Sequence, residues 1–300
     1  MRVLITGGDG QLGHSLRRET ADLSWSVTVC NRTELDITDA ARVDAAVAEL
    51  QPQLVINAAA YTAVDRAESE REAAFAVNAH GAGHLAQAAA AVGAACFHVS
   101  TDYVFSGESD TAYRETDAPA PCGVYGESKL AGEVAVAEAN PHHLILRTAW
   151  VFSEQGANFV KAMLRLGQAR DELGVVDDQV GGPTYAGDIA RTLITLAHRV
   201  HADDAKDTLA AFPWGTYHYC GLPYVSWHGF ATAIFERVAA RGLFDVPTVR
   251  SITTAEYPTA ARRPANSRLD THELTQAFGI QPGDWAAALD PIDRFLVARS

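Results

Sequence analysis

Val3-Leu4-Ile5-Thr6-Gly7-Gly8-Asp9-Gly10-Gln11-Leu12-Gly13 is the stretch on which the fold turns. A short apolar run reads as a buried strand, glycines follow it, and residues 11–20 read as a helix. The glycines match GxGxxG through Gly8, Gly10 and Gly13, and TGxxGxxG through Gly7, Gly10 and Gly13. Between strand and helix this spacing has a physical purpose. Glycine permits the tight turn, a bare backbone lets a pyrophosphate approach, and the helix start offers free N–H groups at its positive dipole end. Gly7, Gly10, Gln11, Leu12 and Gly13 are therefore the first candidate dinucleotide contacts.

Working outward, the same rhythm repeats. Val27-Thr28-Val29, Leu54-Val55-Ile56, Phe97-His98-Val99 and Leu144-Ile145-Leu146 read as further short apolar strands. Continuously apolar strands imply a sheet buried on both faces, hence parallel. Helices are expected at about 38–50, 70–92 and 124–139, with Ser69 and Glu72 spaced as a capping box. The fold class is α/β: a Rossmann-type, doubly wound parallel sheet over residues 1–150. Residues 151–300 are expected to form mainly a smaller C-terminal substrate-binding domain over the carboxyl ends of the strands, with about 172–202 rejoining the first domain. There, helices are expected at 156–169, 186–201, 226–241, 271–278 and 284–298. Asp270 and Gly279 bound the fourth, and 212–227 and 257–264 read as loops.

A chain of 300 residues suits about two domains. Its hydrophobic share of 48% leaves ample core material, and its net charge of −13 argues against a nucleic-acid polymer or an anionic membrane as partner. The charge is uneven. Residues 241–268 carry Arg241, Arg250, Arg262, Arg263 and Arg268 against only Asp245 and Glu256. Arg262, Arg263 and Arg268 cluster in one loop, and guanidinium forks suit a diphosphate. Cys30, Cys96, Cys122 and Cys220 have no metal spacing, and Cys30 and Cys96 are expected as buried free thiols. The start of the chain lacks the pattern of a signal peptide, and the longest apolar stretch, around 88–97, is too short to span a bilayer. A cytoplasmic protein is expected.

Two further segments carry chemistry. Tyr125-Gly126-Glu127-Ser128-Lys129 places a phenol and an ammonium on one helix face, where a neighbouring cation would draw the phenol towards neutrality. Val99-Ser100-Thr101-Asp102-Tyr103-Val104-Phe105 ends a strand on hydroxyls able to bond a carbonyl. The end of the second strand, Asn31-Arg32-Thr33, has no acid for a ribose 2′-OH. Arg32 could instead meet a 2′-phosphate, which favours NADPH, with NADH as the alternative. His80 and His84 have metal-ligand spacing but no third ligand, so no metal site is assigned. Asp177-Asp178 reads equally as a cleft border or a turn.

Glycine turn, strand-end hydroxyl and YxxxK, in this order, resemble the extended short-chain dehydrogenase/reductase family; Asp36-Ile37-Thr38-Asp39 and Asn57-Ala58-Ala59-Ala60 match two more of its segments. The resemblance implies cofactor contacts from Asn31, Arg32, Asp36, Ile37, Ala58, Ala59, Ala60, Tyr125 and Lys129. Within that family, Asn57–Asp65, Ser100–Phe105, Arg147–Phe152 and Arg263–Ser267 look like dTDP-4-dehydrorhamnose reductase. That resemblance implies reduction of the 4-keto group of a dTDP-4-keto-6-deoxy sugar, the last step to dTDP-L-rhamnose. It implies Thr101, Tyr125 and Lys129 as the catalytic triad, and Asp102, Tyr103, Trp150 and Arg263 beside the substrate. A homodimer stays open. Related dehydratases carry a Glu where this chain has Tyr103, so dehydration is disfavoured. Another nucleotide-sugar epimerase or reductase, and a non-catalytic NADP-binding regulatory subunit, remain as alternatives.

Overall fold

The computed structural model describes residues 1–200 and 208–296. Its central sheet holds β1 (Arg2–Thr6), β2 (Ser26–Cys30), β3 (Leu54–Asn57), β4 (Ala95–Thr101), β5 (His143–Thr148) and a sixth strand, Gly215–His218. All pair in parallel, in the spatial order sixth strand, β5, β4, β3, β1, β2. From β1 the chain builds first towards β2 and then, beyond β3, the other way. In a doubly wound sheet that reversal, outside the carboxyl ends of the strands, is where a ligand crevice is expected.

The two faces of the sheet follow from alternation along each strand. Val3 and Ile5 join one core with Leu12 and Leu16 of α1 (Gln11–Thr20) and Ile189 and Leu193 of the helix Ala186–Val200. Leu4 points the other way, into a core shared with Val43 and Val47 of α2 (Ala40–Leu50). Leucine and alanines of α5 (Ala82–Ala91) and Val136 of α6 (Val124–Ala139) complete that layer. Burial on both sides is why these strands read as unbroken apolar runs.

The expected helix over 70–92 is divided. After α3 (Val64–Ala67) come α4 (Arg71–Phe75), a π-helical segment Ala76–Gly81, and α5. The Ser69–Glu72 capping box is absent: α4 has no side-chain cap, and the Ser69 hydroxyl turns back to the Arg66 carbonyl at 3.1 Å.

The second half departs further from expectation. Gly215–His218, expected within a loop, pairs with β5. Glu172–Val176 and Thr248–Ile252 form a separate parallel pair. A third core gathers Phe152, Val160, Leu164, Phe230, Ile234 and Trp285. The helix expected over 284–298 breaks into Trp285–Ala288 and a 3-10 turn, Ile292–Phe295, because Pro291 intervenes; residues 297 and 298 lie outside the described residues. Asp270 accepts from the His272 N–H at 2.9 Å, at the start of the helix His272–Phe278, and Gly279 closes that helix at φ +65°. Among the described residues no helix is long and apolar enough to cross a membrane.

Candidate active site

The glycine turn is shaped by close approach. Gly7 has φ +80°, and a Cβ there would meet the Ala58 and Ala59 backbone at 2.6 Å. A Cβ on Gly13 would lie 2.1 Å from the Gly7 carbonyl oxygen. The Gly8 and Gly10 N–H groups bond to the Cys30 and Gly7 carbonyls, but Gly10 precedes α1 without a side-chain cap, so the first N–H groups of the helix itself have no capping partner. Such a cradle fits a pyrophosphate. Gln11 ties it to the second half of the chain: its Oε1 accepts from Ser153 Oγ (3.1 Å) and Asn158 Nδ2 (3.0 Å).

Beside the turn, Asn31 Oδ1 accepts from the Thr33 backbone N–H at 3.0 Å and from the Thr33 hydroxyl at 2.8 Å. The Arg32 side chain is 81% exposed, with Nε 3.5 Å from Asp36 Oδ2. Asp36 is held below the usual carboxylate range, chiefly by the Thr38 N–H. Ile37 is buried beneath it. Ala58, Ala59 and Ala60 follow β3, half-buried beside Gly7.

Thr101 ends β4 and Tyr125 opens α6, bringing hydroxyl and phenol face to face. Thr101 Oγ1 donates to Asp102 Oδ1 at 2.9 Å and accepts from the Tyr103 N–H at 3.2 Å. Asp102 is buried, its Oδ2 has no partner, and burial pushes its carboxyl up to about 6. The Tyr103 ring meets Tyr125 edge-on at 5.3 Å. Burial raises the Tyr125 phenol above its ordinary value, against the expectation that Lys129 draws it down. The reason is geometric. Lys129 Nζ is turned to β4, donating to the Val99 carbonyl at 2.7 Å and lying 3.2 Å from His98 Nε2. Burial brings Lys129 down to about 8.

Trp150 adopts φ +49° and stacks on Trp227 at 3.4 Å, a partner that sequence spacing could not reveal. A cleft of about 780 Å³ is lined by Asp178, Tyr257, Arg262, Arg263, Asn266 and Arg268. The three arginines are not free charges. Arg262 pairs with Glu108 at 2.8 Å, Arg263 with Asp65 at 2.6 Å, and Arg268 donates to the Asp110 carbonyl at 2.6 Å. Arg263 Nη1 nevertheless is buried with no hydrogen-bond partner. Its guanidinium also faces the Tyr103 phenol, so Arg263 joins the cleft to the Thr101–Tyr125 site. Asp178 borders the cleft, whereas Asp177 is taken up by Ser226 and Ser251.

Sequence reasoning missed two buried groups. Arg147 of β5 forms a bidentate pair with Glu133 of α6 at 2.7 and 2.9 Å. Asn57 and His98 form a polar chain to Lys129. A lone histidine inside an apolar strand was the visible signal. Among the cysteines, Cys96 and Cys220 are buried and Cys122 is exposed; Cys30, expected buried, is half-exposed on its strand. His84 Nδ1 lies 3.1 Å from the Ile37 carbonyl.

Fold and site together define the class: an oxidoreductase of the extended short-chain dehydrogenase/reductase superfamily. The family model described as "RmlD substrate binding domain" matches residues 1–295. A dTDP-4-dehydrorhamnose reductase of Aggregatibacter actinomycetemcomitans is 50% identical over 293 residues, covering 97% of this chain and 98% of that protein. The chain thus belongs to the dTDP-4-dehydrorhamnose reductase family. Among solved structures, the Clostridium acetobutylicum reductase superposes with TM-score 0.89 at 38% identity, covering 98% of this chain and 99% of that one. The Bacillus anthracis reductase, solved in complex with NADP, gives 0.87 at 37%, covering 97% of each.

Proposed function

We propose that the protein reduces the 4-keto group of dTDP-4-dehydro-L-rhamnose to dTDP-L-rhamnose, with NADPH as the reductant and the cytoplasm as the compartment. What supports this reading is that Thr101 and Tyr125 face each other at the carboxyl end of β4, with Lys129 one helical turn on from Tyr125 and turned to the Val99 carbonyl, beside a glycine cradle that a Cβ would fill. The residues present fit a dinucleotide. Gly7, Gly10, Gln11, Leu12 and Gly13 would hold the pyrophosphate, Ala58 to Ala60 would flank it, and Asn31, Asp36 and Ile37 would line the adenosine end. The exposed Arg32 supplies the cation that a 2′-phosphate requires. When bound, the nicotinamide supplies a hydride for the carbonyl carbon.

The protein's own residues do the rest. Thr101 and Tyr125 bond the carbonyl oxygen, and Tyr125 Oη gives its proton to the alkoxide as that oxygen gains charge. Lys129 carries the positive charge that offsets the phenolate left behind. Asp102, Tyr103 and Trp150 frame the sugar, and Arg263 meets the diphosphate through Nη1. Residues 1–150, with about 172–202, act as the dinucleotide-binding unit, and residues 151–300 mainly as the substrate unit. Incubation with NADPH and the 4-keto sugar nucleotide, followed by NMR of the product, tests this. The expected result is stoichiometric NADPH oxidation and a new C4 proton of the L-rhamno configuration. Retained NADPH binding without reaction, or inversion at C3 or C5 alone, would refute it.

A further inference from the structure

The polar chain behind Lys129 can be read atom by atom. The backbone N–H of Ala59 can only donate, and it donates to Asn57 Oδ1 at 3.0 Å; the Thr6 hydroxyl donates to the same oxygen at 2.9 Å. This fixes the orientation of the Asn57 amide, so its Nδ2–H donates to His98 Nδ1 at 3.0 Å. His98 is fully buried, and burial together with the Lys129 charge pushes its ring well below the usual histidine range. The neutral ring must then carry its proton on Nε2, the nitrogen 3.2 Å from Lys129 Nζ. An ammonium has no lone pair and cannot accept that N–H. A neutral amine can accept it while donating to the Val99 carbonyl.

The geometry points to His98 as a positioning residue for Lys129. Locked by Asn57 in its Nε2–H tautomer, it donates to Nζ and favours the neutral amine over the ammonium. Of the other titratable groups, Glu133, on the same helix, acts on Lys129 through its charge and favours the ammonium. Glu133 is committed to Arg147, which leaves the Val99 carbonyl and His98 as the polar neighbours of Nζ. Burial acts in the same direction as His98. The inference deepens the acid–base reading given above and rests on it for its consequence: the lysine that offsets the phenolate also becomes a group that gains or loses its proton near working pH.

The sequence has only three lysines, Lys129, Lys161 and Lys206, so protein labelled with carbon-13 at lysine Cε gives three resonances to follow against pH. In the wild type the Lys129 signal is expected to titrate near 8. His98→Gln can turn its amide oxygen to Nζ, and Asn57→Asp would draw the histidine proton to Nδ1 and make Nε2 an acceptor. Each should raise the proton affinity of Lys129 at least tenfold. NADPH binding, titrated in the same samples, should then persist to higher pH in the variants than in the wild type. A wild-type Lys129 titrating like a free lysine, or a Lys129 unmoved by whichever of the two substitutions folds, would overturn the inference. Failure of the wild type to bind NADPH at any pH would count against the dinucleotide reading and leave the lysine titration to be judged by itself.

Discussion

Tyr125 and Asp102 show how burial sets chemistry one side chain at a time. The phenol is raised, so at neutral pH it holds the proton that a reductase must give away. Tyr125→Phe is expected still to fold and to bind NADPH while losing turnover by about 100-fold or more; stopped-flow traces and fluorescence titration separate the two. Asp102 titrates near 6 in the folded chain against its ordinary 3.8. A raised carboxyl destabilises the fold as pH climbs through that window, because the unfolded chain ionises first and the folded one resists. Below about pH 3 the penalty is absent, and above about pH 7 it is complete. Asp102→Asn should therefore raise unfolding free energy at pH 7 by about 3 kcal/mol and match the wild type near about pH 3, as denaturant titrations would reveal. These environments were hidden in the sequence. Residue types at Thr101, Tyr125 and Lys129 were legible from their spacing, but the direction in which Lys129 Nζ points depends on Asn57 and His98, brought from two neighbouring strands.

At the scale of elements, the turn between β1 and α1 is the most constrained. A Gly13→Ala methyl has nowhere to go except into the Gly7 carbonyl. It should weaken NADPH binding at least tenfold and cost about 1–3 kcal/mol of stability, measured by calorimetry and by thermal unfolding. This turn was legible because glycine spacing and an apolar strand are local signals. β1 to β5 were equally clear, since a strand buried on both faces leaves an unbroken apolar record. Gly215–His218 left only a faint one. Thr216 and Tyr217 favour strands, but between Gly215 and His218 they make too short a run to read, and the open edge of β5 recruits them to the sheet. The π-helical segment Ala76–Gly81 was hidden within an alanine-rich stretch that helical periodicity spans without a mark.

At the scale of the whole molecule, the net charge of −13 is reconciled with anionic ligands by placement. Arginines of the loop before residue 270 line the cleft, and most are already paired with Glu108 or Asp65. Arg263→Ala removes a buried guanidinium nitrogen left without a hydrogen-bond partner in the cleft. It should raise KM for the sugar nucleotide about tenfold or more while kcat changes little, since the diphosphate contact is the same in ground and transition states. Steady-state kinetics at varied substrate would reveal any other pattern. Whether this site delivers hydride to a sugar C4 carbonyl is decided by following the label from NADPH carrying deuterium at the transferable nicotinamide position. One deuterium at C4 of the rhamnosyl product and none elsewhere in the sugar is expected. An unlabelled sugar, or label appearing at C3 or C5 from deuterated solvent with NADPH unconsumed, would contradict it.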